Sequence, residues 1–127
     1  MVSARVTHSI DGLARDCRTI AVRARKDMTA TVREGLKVGN TVARDNAKRT
    51  AGTHGKLYPR AFSVEMYAGG TLIAGEYGPD AAMPQGGMSF EGGSRNQPPH
   101  LDMAKSADLI GYPFAEAVGR LPDKWFW

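Results

Sequence analysis

"FSVEMYAGGTLIAGEY", residues 62–77, is the stretch on which the fold class turns. It reads as two strands joined at Gly69 and Gly70, whose tolerance of positive φ suits a two-residue hairpin turn. With Ala68 set against Thr71, Met66 faces Ile73, Val64 faces Gly75 and Phe62 faces Tyr77. Nearly every large apolar side chain then falls on one side of the hairpin, and Ser63, Glu65 and Glu76 fall on the other. One face is therefore expected to cover a helix, and the other to meet water or a neighbouring subunit.

The helix that such a face needs lies upstream. Ile10, Ala14, Cys17, Ala21, Ala24, Met28, Thr31, Gly35, Val38 and Val42 recur at alternating spacings of four and three, which predicts a long helix over about 10–50 with one narrow stripe of mostly small residues. Whatever packs on that stripe can approach closely. Gly35 and Gly39 each cost up to about 1 kcal/mol relative to alanine inside a helix, so a break or kink is expected between Gly35 and Asn40. "AGTHGKLYPR", residues 51–60, ends the helix with two glycines and a proline.

Downstream, "GPDAAMPQGG" reads as an irregular loop and "MSFE" as a short third strand. Pro98 and Pro99 then lead into a helix from about Leu101 to Gly111, with Asp102 favoured at its positive N-terminal end. Pro113 interrupts the pattern, so "YPFAEAVGRL" is expected as a kinked continuation or a second short helix. The expected whole is a single α+β domain over 1–127: a basic helical segment at 10–50, a hairpin with its loop at 61–91, and C-terminal helices at 99–121. The chain ends on "DKWFW", three aromatics that would form an apolar patch on a free monomer.

Charge is unevenly placed. Residues 1–60 carry thirteen Lys/Arg against five Asp/Glu, and residues 61–127 carry four against eight, so balances of +8 and −4 divide the chain. A basic half suits nucleic acid, and a basic half joined to an acidic half suits head-to-tail contacts between copies. A single cysteine, Cys17, excludes an internal disulfide framework and leaves no cysteine cluster for zinc. No run is long and apolar enough for a membrane span, and the N-terminus lacks the apolar core of a signal peptide, so a soluble protein made in a cytoplasm is expected.

Chemistry is sparse. His8, His54 and His100 fall in separate segments without metal-ligand spacing, so neither a metal nor another cofactor is expected. His100 beside Asp102 sketches half of a catalytic pair, but no nucleophile sits in a recognisable elbow and the plainer reading is a helix-capping region. "GGTLIAG" and "EGGSRN" match no dinucleotide or phosphate-loop fingerprint; their glycines shape turns. Glu91 and Arg95 are placed to brace the loop as an ion pair. Arg18, Arg23, Arg25, Lys26 and Arg33 are candidates for contact with phosphates or with another subunit; spread around the helix as they are, they form no reading face for sequence-specific binding.

"FEGGSRNQPPHLDMAKSAD", residues 90–108, resembles the signature region of the small neck and tail-completion proteins of long-tailed bacteriophages, an aromatic-Glu-Gly-Ser/Thr segment followed by a proline-rich turn and a C-terminal helix. Phe90, Glu91, Gly93 and Ser94 match the first part, and Pro98 and Pro99 the prolines. His100, Leu101 and Asp102 depart from the proline-phenylalanine-leucine usual there. Upstream, "THGKLYPRAF" and the hairpin follow in the family's order, so the resemblance spans roughly residues 5–120. It implies an α+β subunit of a ring, sixfold in that family, placed between portal and tail tube in the virion and assembled in the host cytoplasm. A joint of this kind is not an enzyme. Its expected partners are copies of itself, the adjoining head-closure and tail proteins, and genomic DNA without sequence preference; no membrane is implied. Phe90, Glu91, Arg95, Asn96 and Gln97, with Trp125, Phe126 and Trp127, are then the expected subunit contacts. A tail-terminator ring capping the tube is the alternative within the same system, and a small DNA-binding accessory protein the alternative outside it.

Overall fold

A computed structural model describes residues 10–95 and 97–126. The elements are helix α1 (Ile10–Thr50), strands β1 (Phe62–Gly69) and β2 (Leu72–Pro79), a single turn α2 (Ser89–Gly92) and helix α3 (Asp102–Phe126). The architecture is α+β, a long N-terminal helix carrying an antiparallel hairpin and a C-terminal helix.

α1 is one continuous helix, so the break expected between Gly35 and Asn40 does not occur. The glycines there allow contact. A Cβ at Gly35 would lie 2.7 Å from the Phe114 ring, and one at Gly39 would lie 2.6 Å from Tyr77 and 2.7 Å from Ile110. Close packing of α3 and β2 against these positions offsets the cost of glycine in the helix. α3 runs antiparallel to α1, its Asp102 end beside Asn46 and Thr50 and its Trp125 end bonded to Asp27. The expected stop at Gly111 is likewise absent, and of the two alternatives beyond Pro113 the chain takes the continuation, α3 running on through Pro113 and Pro122. Contacts on both sides of Pro113, Ile110 on Gly39 and Trp125 on Asp27, hold both halves against α1.

The hairpin differs from expectation in register. Gly69 pairs with Leu72, Ala68 with Ile73, Met66 with Gly75, Val64 with Tyr77 and Phe62 with Pro79. Gly70 takes the positive φ of the turn at 56°, and Gly69 ends β1. The slip is an even one of two residues, so every side chain keeps the face assigned from the sequence. Phe62, Val64 and Met66 turn toward α1, while Ser63, Glu65, Tyr67, Leu72 and Glu76 stay exposed. The core centres on Ala43, Ala47, Tyr58 and Phe62, flanked by Ala51, Tyr77, Phe90 and Met103.

"MSFE" makes no third strand. Residues 89–92 form the turn α2, and the sheet of the described residues has two strands. Its reason is the carboxylate of Glu91, which is drawn to the start of α3.

Candidate assembly surface

The segment 89–102 is held by a knot of aromatic and polar groups. Phe90 stacks on Tyr58 with ring centroids 4.3 Å apart and planes 12° from parallel, and the His100 ring meets Phe90 edge-on at 5.4 Å. Tyr58 in turn meets Phe62 edge-on at 5.2 Å. Such pairs add about 0.5–1.5 kcal/mol each beyond their buried area. Phe90 therefore anchors the loop from a helical turn, its ring packed within the chain on Tyr58 and His100 where the resemblance implied a subunit contact.

Glu91 has an internal task. It is 8% exposed, and its two carboxylate oxygens accept the backbone N–H groups of Met103 at 2.8 Å and Ala104 at 3.0 Å. These are orphan donors of the first turn of α3, and a carboxylate there also meets the positive end of the helix dipole. Glu91 is thus removed from the expected subunit contacts, and it forms no ion pair with Arg95. Phe90 and Glu91 further accept through their carbonyls the N–H groups of His100 and Leu101, so the loop closes on itself across eleven residues of chain.

Asp102 is fully buried. Its carboxylate accepts the Thr50 hydroxyl at 2.9 and 3.0 Å, and Thr50 Oγ1 also lies 3.0 Å from His100 Nδ1. The hydroxyl has one proton, which the carboxylate takes, so Nδ1 is the atom that donates to Thr50. Asn46 adds a bond from Nδ2 to the Asp102 carbonyl at 3.1 Å. His100 and Asp102 are a tethering pair that ties α3 to the last turns of α1.

Tyr58 lies inside this knot with a buried hydroxyl that forms no aligned hydrogen bond. Burial first, and then the charges of Asp102 and Glu91, push its ionisation above the ordinary phenol range. The consequence is a stability loss at alkaline pH. Tyr58 in the unfolded chain ionises near its ordinary value of 10, while in the folded chain it stays protonated. Its contribution is complete below pH 10 and declines as pH rises through and beyond that value, at up to about 1.4 kcal/mol per pH unit. In urea titrations Tyr58→Phe should be at least as stable as the wild type at neutral pH, since the buried hydroxyl has no partner, and its advantage should grow above pH 10. Parallel curves for the two proteins would contradict this placement of the phenol.

The remaining loop residues are positioned by turns. Gly93 has φ 83°, and a Cβ there would meet Pro99 at 2.9 Å, so the sharp bend belongs to Gly93 and not Gly92. Ser94 and Gln97 pair across a tight turn, Gln97 Nε2 donates to Ser89 O at 3.2 Å, and Arg95 is exposed at the tip. Asn96 lies outside the described residues. The preceding loop is no free arm: Gln85, at φ 61°, accepts Leu57 N–H at 2.8 Å and donates to His54 O at 2.6 Å.

At the far end, Trp125 is turned inward to donate from Nε1 to Asp27 at 2.8 Å, whereas Phe126 is 60% exposed. Trp127 and His8 lie outside the described residues. Among the basic candidates, Arg25 reaches the carbonyl of Gly70 at the hairpin tip at 2.6 Å. Arg18, Arg23, Lys26 and Arg33 are exposed and make no ion pair among the described residues. Thr50, Tyr58 and Gln85 are structural participants that sequence reasoning missed, because their partners lie in distant segments and leave no local pattern.

Among the described residues no cluster of His, Cys, Asp or Glu has the arrangement of a metal site, and no helix is long and apolar enough to cross a membrane. Comparison of the chain with protein-family models, with curated proteins and with solved structures gives no match.

Proposed function

We propose that the chain is a structural subunit of the head-to-tail connector of a long-tailed bacteriophage, assembled as a ring between the portal side and the tail. The observation that carries this reading is the 89–102 segment. The residues that give it its connector resemblance are spent on shape: Phe90 on the stack with Tyr58, Glu91 on the N-terminus of α3, Gly93 on the bend against Pro99. A segment so fixed presents Arg95 at its tip as a rigid contact, which is the use an assembly makes of it. Supporting this are surfaces better satisfied in an assembly than alone: the exposed apolar residues Val22, Leu72, Leu109, Tyr112 and Phe126, and a basic α1 beside an acidic hairpin. A tail-terminator ring would use the same subunit at the tube end.

The test is complementation of a phage lacking the chain. Wild type restores joined particles, and Arg95→Ala with Gln97→Ala leaves a folded subunit and an excess of unjoined heads and tails. Unchanged particle yield from that double variant reduces the loop to a linker.

A second reading, a DNA-binding accessory protein, is favoured by the exposed Arg18, Arg23, Lys26 and Arg33. Contacts of that kind fall steeply with salt and do not select sequence. Binding to random-sequence DNA that weakens steeply as salt rises, by a chain that forms no assembly, would favour it over the connector.

A further inference from the structure

α1 runs on beyond its hydrogen bond with the end of α3. Trp125 meets α1 at Asp27, and the stretch from Ile10 to Lys26 continues N-terminal to that point for roughly 25 Å. On this stretch Arg15, Arg18, Val22 and Lys26 follow one another at spacings of three, four and four and so share one side of the helix. All four are exposed, Val22 at 70%, and the three cations have no ion-pair partner among the described residues.

The outer face of the hairpin has the opposite character. Glu65 and Glu76 are cross-strand partners, so like charges stand directly opposite each other, an arrangement that destabilises an isolated sheet. Within the subunit the pair shares only the Tyr67 hydroxyl, 2.9 Å from Glu65 and 3.2 Å from Glu76; among the described residues no cation reaches either carboxylate. Tyr67 and Leu72, 50% and 62% exposed, supply apolar surface on the same face. Toward the root of the hairpin a concavity of about 640 Å³ is bordered by Glu65, Glu76, Asp80 and Met88 and by no Lys or Arg.

From this we infer that the outer face of the hairpin receives the 15–26 stretch of α1 from a second copy of the chain. Arginines and lysine meet the paired carboxylates, and Val22 meets Tyr67 and Leu72. The helix of the same chain cannot serve, because α1 is one rod already packed against the inner face of its own hairpin. Helix and face are different surfaces of one chain, so the contact is heterologous and propagates head to tail, closing into a ring where the rotation permits. This inference rests on the ring reading and specifies its contact.

The test uses the full chain and its mass by light scattering at low salt. The face is reversed by Glu65→Lys with Glu76→Lys, and the helix by Arg15→Glu with Arg18→Glu and Lys26→Glu. Wild type is expected to form a discrete multiple of the chain. Each reversed set alone should remain a single chain, and the two sets combined in one chain should assemble again. Circular dichroism guards against misfolding, and Glu76→Lys alone adds an independent sign: it replaces a like-charge pair by an opposite one, so it should raise the Tm of the isolated chain while weakening assembly. Assembly unaffected by either reversal, or not recovered by the combination, overturns this contact and leaves a ring built otherwise. A wild-type chain that stays single overturns the ring reading with it, and if that single chain then binds random-sequence DNA at low salt, the basic stretch belongs to DNA.

Discussion

Glu91→Ala lowers the stability of the isolated chain by about 3–5 kcal/mol, because two charge-assisted bonds of about 1.5–3 kcal/mol each are lost together and the two N–H groups lose their protein acceptors. Alanine removes the acceptors of Met103 and Ala104 N–H without offering another, and the start of α3 loses the charge that faced its dipole. The same change unlatches the loop, since Glu91 O receives the N–H of Leu101 only while α2 keeps its place. Urea unfolding followed by circular dichroism measures the loss. Glu91→Gln, which retains one acceptor oxygen, should fall between the two. A Glu91→Ala variant as stable as wild type would show that the carboxylate is not what caps α3.

Phe90→Ala costs about 3 kcal/mol, the low end of the range for removing a buried phenylalanine, since the ring is partly buried against the core. Its ring covers one side of Tyr58 and meets His100, so its loss opens a space beneath the polar knot of Thr50, His100 and Asp102. For a domain whose whole stability is typically about 5–15 kcal/mol, a loss of this size threatens folding at growth temperature. Arg95→Ala provides the contrast. Exposed at the tip of the 94–97 turn, it should leave the thermal unfolding of the subunit unchanged and appear only in particle joining. Equal Tm losses for Phe90→Ala and Arg95→Ala would contradict the division between a buried anchor and an outward contact.

What the sequence disclosed and what it hid follow from the range of the interactions. Of the small-residue stripe expected from Ile10 to Val42, Gly35 meets Phe114 of α3, but Ile10, Met28 and Val38 are exposed, and the buried face of α1 lies one position round, on Leu36, Gly39, Asn40, Ala43, Asn46 and Ala47. Alternation in 62–77 assigned the faces of the hairpin correctly even though its register lay two residues away, since an even slip preserves side. Misplaced expectations came from reading local cost as local outcome. Gly35 and Gly39 penalise a helix in isolation, and tertiary packing overrides them. The role of Glu91 was illegible for a related reason: its partners lie 12 and 13 residues on, in a helix whose approach depends on Gly93, Pro99 and the Tyr58 stack. Arg95 stands exposed on a tight turn, and the bracing pair with Glu91 that the sequence suggested does not form, because the Glu91 carboxylate is taken by α3.

The segregated charge of the chain has a similar history. Balances of +8 and −4 were visible at once, but not that β1 and β2 would set Glu65 directly against Glu76, or that α1 would carry its cations past the end of α3. Those placements turn a composition bias into two surfaces on different sides of one subunit.

The connector reading requires the chain to travel with tailed phage particles, and quantitative mass spectrometry of such particles, purified from cells that express it, is the most direct test. The account predicts the chain in the particles at a low, fixed copy number that matches a single ring. Its absence from particles, with the chain abundant in the infected-cell lysate, would contradict the account.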